Sequence, residues 1–185
     1  MGKLILVTGG ARSGKSSFAE ELAGKFGDSV LYIATSIPFD DEMKLRIKKH
    51  KEQRPAHWET LEAFRDIGEA MKGKISGKSA VMLDCITVMV TNLMFETSHD
   101  WDNIAAEDME QVESRVMSEI QKLIGAAKGF GIPFIAVTNE TGMGIVPCGK
   151  LSRLFTDIAG RVNQMLARSA DEVYLCVSGI PVRIK

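Results

Sequence analysis

Gly9-Gly10-Ala11-Arg12-Ser13-Gly14-Lys15-Ser16 satisfies the pattern GxxxxGK(S/T) and follows directly on the run Lys3-Leu4-Ile5-Leu6-Val7-Thr8. A buried strand that ends in a glycine-rich turn and opens a helix aims several backbone N–H groups at one small volume. The positive end of the helix dipole favours an anion in that volume. Gly9 and Gly14 permit the bends and the close backbone approach, Lys15 reaches β- and γ-phosphates, and the Ser16 hydroxyl offers an oxygen to Mg²⁺. The next stretch, Ser17 to Phe26, places Phe18, Leu22, Ala23 and Phe26 on one helical face, which completes the strand–loop–helix context. The reading is a site for a nucleoside triphosphate or something of that shape.

Such a loop has to be carried by a sheet, and the chain alternates strand-like and helix-like segments. Strands are expected over 3–8, 30–34, 80–84, 133–138 and 172–177, with a weaker one over 58–61. The central runs are continuously apolar, as in a parallel sheet covered on both faces. Helical patterns occupy 40–53, 64–72, 105–128 and 151–169. Pro55 ends the first, and Met109, Val112, Val116, Ile120 and Leu123 form a stripe in the third. The tail reads as a strand over 172–177, a tight turn over Ser178-Gly179-Ile180-Pro181 and a returning strand over 182–185. The expected fold is α/β: a P-loop NTPase-like three-layer domain spanning residues 1–185, its central sheet mostly parallel with a C-terminal antiparallel hairpin.

In open α/β sheets ligands bind beyond the carboxyl ends of the strands. Those ends carry Thr8-Gly9, Ala34-Thr35-Ser36, Asp84 and Thr138-Asn139-Glu140. Asp84 closes the apolar run Ala80-Val81-Met82-Leu83, the form of the magnesium-side acid in phosphate-loop enzymes. An acid capping the next helix would look the same. The segment from Asp40 to Arg54 sets Arg46, His50 and Arg54 in an i, i+4, i+8 row, with Asp40 as N-cap. A histidine between two arginines beside a triphosphate is a nucleophile or a charge clamp, and flanking cations keep its imidazole neutral. From spacing alone, a solvated basic helix face with a bystander histidine is the better fit. The glycine-rich stretch Asn139–Gly149 follows a strand at the binding end and either covers substrate or simply connects elements. His99 and Trp101 lie in a polar stretch that reads as a surface loop. Lys150, Arg153, Arg161 and Arg168 carry no assigned role.

Composition narrows the class further. The 185 residues are 45% hydrophobic and 25% charged with a net charge of −1, which argues against a broad nucleic-acid or anionic-membrane footprint. Cys85, Cys148 and Cys176 are far apart without CxxC spacing, so a disulfide framework or zinc site is not expected, and Cys85 and Cys176 read as core residues. There is no apolar stretch of membrane-spanning length. A soluble, cytoplasmic enzyme is the expectation. The chain also lacks the Asn-Lys-x-Asp element of guanine-reading switches, which weighs against a regulatory GTPase.

Taken together, the sequence resembles the bifunctional adenosylcobinamide kinase/adenosylcobinamide-phosphate guanylyltransferase family over essentially its whole length. The likeness rests on Val7–Ser16, Tyr32–Ser36, Asp40–Met43 with Arg46-Ile47, His50, Arg54-Pro55, and Trp58 with Glu62. Further matches are Thr91–Leu93, Thr138–Glu140, Gly142–Pro147, Asp157–Gln164, Ala170–Val173 and Val177–Ile180. The resemblance implies phosphorylation of adenosylcobinamide with ATP or GTP, then GMP transfer from GTP to the resulting phosphate, releasing pyrophosphate. It also implies a guanylyl-histidine intermediate at His50, and nucleotide contacts from Gly9–Ser16, Ala34, Thr35, Ser36, Lys51, Glu52, Gln53, Arg54, Glu62 and Asp84. Mg²⁺ would be held by Ser16 and Asp84. The partners implied are a corrinoid, nucleotides and further copies of the chain in a homotrimer, with neither nucleic acid nor stable membrane insertion.

Overall fold

The computed structural model describes residues 2–37 and 55–185. Seven strands form one sheet, β1 (Leu4–Gly9), β2 (Val30–Ala34), β3 (Glu59–Glu62), β4 (Ala80–Asp84), β5 (Phe134–Val137), β6 (Glu172–Val177) and β7 (Ile180–Arg183). Their order across the sheet is β3-β2-β4-β5-β1-β6-β7. All pairs are parallel except the closing β6–β7 hairpin. The described helices are α1 (Lys15–Gly24), α2 (Ile67–Met71), α3 (Ile86–Phe95), α4 (Ala106–Gly129) and α5 (Lys150–Ser169).

Strand side chains alternate between two buried faces, which explains the uninterrupted apolar runs. Ile5, Val7, Tyr32, Met82, Ile135 and Val137 pack with Ala19 and Ala23 of α1. Leu4, Leu6, Leu31, Ile33, Leu83, Phe134 and Ala136 pack on the opposite side with apolar residues of α2, α3, α4 and α5. The result is the expected P-loop NTPase-like three-layer α/β fold with a mostly parallel sheet. Among the described residues no helix is long and apolar enough to cross a membrane.

The structure differs from the sequence reading at several places. Helix α3 lies where no helix was expected. Ile86, Thr87, Met89, Val90, Asn92, Leu93 and Met94 are all buried, so the segment has no polar face to mark a helical period. Helix α2 is shorter than 64–72, because Asp66 at its N-cap adopts φ 46, a left-handed conformation that halts the helix there. Strand β3 runs one residue beyond the expected 58–61 and ends on Glu62. The terminal turn is only Ser178-Gly179, with φ 50 and φ 83. Positive φ at both central residues suits the right-handed twist of a two-residue hairpin, and β7 therefore starts at Ile180. The expected helix over 40–53 lies outside the described residues.

Candidate nucleotide site

Parallel pairing puts the carboxyl ends of six strands along one edge, and the register places them at one level. Ala34 pairs with both Glu62 and Asp84, Asp84 with Val137, and Val137 with Val7. Asp84 shares its strand face with Met82 and Ala80, the face covered by α1. Ala34, the Asp84 carboxylate and the turn into α1 are thus brought to one side of the sheet's edge. Neighbouring strands lie about 4.8 Å apart, so Asp84 stands roughly 10 Å laterally from β1 and Glu62 roughly 19 Å.

The turn after β1 is held almost wholly by backbone. Gly14, the N-cap of α1, has φ 87, and a Cβ there would lie 2.9 Å from the Cα of Gly179. A Cβ on Gly9 would meet the Cys176 carbonyl oxygen at 2.5 Å. The Gly179 N–H donates to the Ser13 carbonyl at 2.9 Å, so the tip of the C-terminal hairpin braces the loop from behind. Arg12 adopts φ 58 at the exposed crest. Lys15 is 8% exposed, and its ammonium donates to the Gly10 carbonyl at 3.0 Å, which places the charge over the loop itself. The hydroxyls of Thr8 and Ser13 are buried without a protein partner. They leave hydrogen-bonding capacity beside the loop.

The corner beside it is built from side chains instead. The Tyr32 hydroxyl donates to Asp84 Oδ2 at 3.1 Å. The Asp84–Cys85 peptide is cis. Thr35 Oγ1 donates to the Cys85 carbonyl at 2.9 Å and accepts the Cys85 N–H at 3.0 Å, and Asn92 Nδ2 donates to the Thr35 carbonyl at 2.6 Å. Burial, reinforced by the neighbouring Asp84 charge, pushes the Cys85 thiol up to about 11.

A second knot follows β5. The Asn139 N–H donates to Thr87 Oγ1 at 2.7 Å, and Thr87 and Thr138 hydroxyls lie 3.3 Å apart. Thr138 donates to Asn163 Oδ1 at 2.8 Å, and Asn163 Nδ2 donates to the Asn139 carbonyl at 2.9 Å. Thr138 has a single hydroxyl proton and spends it on Asn163, so Thr87 is the donor between the two threonines. These bonds close a directional ring across β5, α3 and α5.

Of the residues expected at the site, Gly9, Gly10, Ala11, Arg12, Ser13, Gly14, Lys15, Ser16, Ala34, Thr35, Ser36 and Asp84 gather along this edge, with Glu62 at its far end. His50, Lys51, Glu52, Gln53 and Arg54 lie outside the described residues. Thr35 is built into this corner: its hydroxyl is committed to the Cys85 peptide, its carbonyl accepts from Asn92, and its N–H donates to the Asp84 carbonyl at 3.4 Å. Sequence reasoning gave no role to Tyr32, Thr87, Asn92 or Asn163, although three of them lie in segments that carry the family resemblance. Their signal was a polar residue inside an otherwise apolar element: Tyr32 in β2, Thr87 and Asn92 in α3.

A glycine-built phosphate loop at the carboxyl edge of a parallel sheet, with a strand-ending acid beside it, defines a P-loop nucleotide-binding protein. The model of the family described as cobinamide kinase / cobinamide phosphate guanyltransferase matches residues 5–184, and the chain belongs to that family. It is 50% identical over 182 residues to a bifunctional adenosylcobalamin biosynthesis protein of Escherichia coli strain K12, covering 98% of this chain and 99% of the relative. The protein of that description from Salmonella typhimurium is 52% identical with the same coverage. One from Pseudomonas aeruginosa is 36% identical, covering 97% of this chain and 96% of the relative. Among solved structures, the RadB recombinase covers 94% of this chain and 73% of its own at a TM-score of 0.47 and 16% identity. The chain is thus an enzyme, a nucleotide-binding transferase with a general role in cobalamin biosynthesis.

Proposed function

We propose that this enzyme phosphorylates the aminopropanol hydroxyl of adenosylcobinamide with ATP or GTP and then transfers GMP from GTP to the new phosphate. The products are adenosylcobinamide-GDP and pyrophosphate. The observation that supports this most is the phosphate loop at a polar strand edge in a chain of this family.

In this reading the N–H groups of 9–16 and the Lys15 ammonium bind the triphosphate and offset its charge, a role worth most where water is excluded. Ala34, Thr35 and Ser36 contact the nucleotide from the end of β2. Glu62, four strands from β1, suits the nucleoside end of an extended nucleotide better than its phosphates. Ser16 and Asp84 supply the hard oxygen donors Mg²⁺ prefers, and the unpartnered Thr8 and Ser13 hydroxyls leave polar capacity around the loop. When bound, Mg²⁺ would neutralise phosphate charge. Residues 142–147 expose Met143 at 78%, Ile145 at 97% and Val146 at 74%, an apolar surface suited to a corrin ring.

His50 is the nucleophile for guanylyl transfer, with Lys51, Glu52, Gln53 and Arg54 contacting the nucleotide. Its imidazole nitrogen attacks the α-phosphorus, the bond to the β-phosphate oxygen breaks, and pyrophosphate leaves. A phosphate oxygen of the corrinoid then attacks the same phosphorus, breaking the N–P bond and freeing the imidazole. The phosphoramidate keeps the transfer potential of the anhydride, so one hard displacement becomes two easier ones. The enzyme works as one domain over 1–185, as a cytoplasmic homotrimer.

The test is product stoichiometry. With adenosylcobinamide, ATP and GTP, each corrinoid consumed should yield one nucleoside diphosphate and one pyrophosphate, and sustained pyrophosphate release should require the phosphorylated corrinoid. Diphosphate without pyrophosphate would reduce the protein to a simple kinase.

A further inference from the structure

The two half-reactions make different demands on a proton acceptor. In the first, the nucleophile is an alcohol, whose proton must leave as oxygen bonds to the γ-phosphorus. In the second, the nucleophile is a phosphate that is already an anion. A base at the phosphate loop is therefore needed for one step only.

Three carboxylates stand at described strand ends of the edge running from β3 to β1: Glu62 closing β3, Asp84 closing β4 and Glu140 just beyond β5. Glu62 is four strands from β1 and Asp84 two, whereas β5 is the immediate neighbour of β1. Asp84 accepts a hydrogen bond from the Tyr32 hydroxyl, and in the function proposed above it is assigned to Mg²⁺. Glu140 is tied directly to the phosphate loop, for its N–H donates to the carbonyl of Gly9 at 3.0 Å. The residue before it is clamped on both sides, through its N–H by Thr87 and through its carbonyl by Asn163. One carboxylate oxygen, Oε1, accepts the Gly142 N–H at 2.9 Å, which steadies the side chain, and the residue is only partly buried. The exposed apolar residues Met143, Ile145 and Val146 begin three positions later, so one loop carries both an acid group and an apolar surface next to the triphosphate.

Resting on the function proposed above, we infer that Glu140 is the general base of the phosphorylation half-reaction. The corrinoid hydroxyl O–H bond breaks and its proton passes to the Glu140 carboxylate. The alcohol oxygen bonds to the γ-phosphorus, and the bond from γ-phosphorus to the β-phosphate oxygen breaks, releasing the nucleoside diphosphate. The proton then goes to solvent, restoring the carboxylate. Asn163 is a positioning residue, acting through the ring that fixes Asn139.

The experiment assays Glu140→Gln and Glu140→Asp in the two half-reactions separately, one started with adenosylcobinamide and ATP, the other with preformed adenosylcobinamide phosphate and GTP. Glu140→Gln should lower kcat of the first by ~10²- to 10⁴-fold, the usual worth of a positioned acid–base group. It should keep the second within a few-fold, which also reports that the variant is folded, and Glu140→Asp should recover part of the lost rate. Equal losses in both half-reactions, or no loss in the first, would overturn the assignment. Wild-type enzyme that fails to transfer GMP would instead count against the function proposed above.

Discussion

The two corners of the site are made of different material. The turn after β1 is held by main chain: glycines at positive φ, the Gly179 N–H on the Ser13 carbonyl, and a lysine folded over the loop. The corner formed by the ends of β2, β4 and β5 is held by Thr35, Asn92, Thr87, Thr138 and Asn163 side chains. A main-chain cradle tolerates few residue types, because a Cβ would strike backbone. A side-chain knot fixes a loop through individual hydrogen bonds, each of which a single substitution can remove.

Between the two corners, the largest expected effect separates charge from scaffold. Lys15→Ala should slow both half-reactions by ~10²- to 10³-fold, about 3 to 4 kcal/mol of transition-state stabilisation. Its thermal midpoint should barely move, since the ammonium's only described bond is to the loop's own Gly10 carbonyl. Steady-state kinetics of the two steps, with a melting curve, checks this.

Next comes the cradle itself. Gly14→Ala would place a Cβ 2.9 Å from Gly179 Cα at a residue with φ 87. Left-handed strain and the backbone clash together predict about 2 to 4 kcal/mol of destabilisation, measured by urea unfolding, along with weakened GTP binding.

Breaking the side-chain corner should have a smaller and different outcome. Asn163→Ala removes the acceptor of the Thr138 hydroxyl proton and the donor to the Asn139 carbonyl, a loss of about 2 kcal/mol. GTP affinity should hold while corrinoid phosphorylation slows, because the loop bearing Glu140 loses its clamp and the phosphate cradle does not. Equal loss of GTP binding would erase the distinction between the corners.

That difference also explains what could be read from the sequence. The phosphate loop was legible because main-chain geometry restricts residue type, so Gly9, Gly14 and Lys15 announce it. The sheet was legible because burial on both faces leaves unbroken apolar runs such as 80–83. Helix α3 was not, since a helix buried on nearly every side has no amphipathic period. The ring through Thr87, Thr138 and Asn163 was also hidden, because its members come from three elements and meet only after packing. Thr35 shows the remaining limit: position at a strand end announced a site residue, but only its partners reveal that its hydroxyl is spent on Cys85.

The smallest effect concerns closure of the side-chain corner. The Cys85 thiol is buried and pushed up to about 11 by burial and the Asp84 charge, so near pH 8 it stays protonated and inert. Iodoacetamide should label exposed Cys148 readily and spare Cys85 and Cys176, both buried, until the protein unfolds. Mass spectrometry of the labelled peptides gives the answer.

In the proposed function, a triphosphate held over the Gly9–Ser16 loop passes its nucleotidyl group to His50. Incubation with GTP labelled at the α-phosphate, followed by denaturation and peptide mapping, measures it directly. The expected result is an acid-labile, alkali-stable label on the peptide containing His50, absent from His50→Ala and from Lys15→Ala. A label of wild-type strength on His50→Ala, or one mapped to another residue, would contradict it.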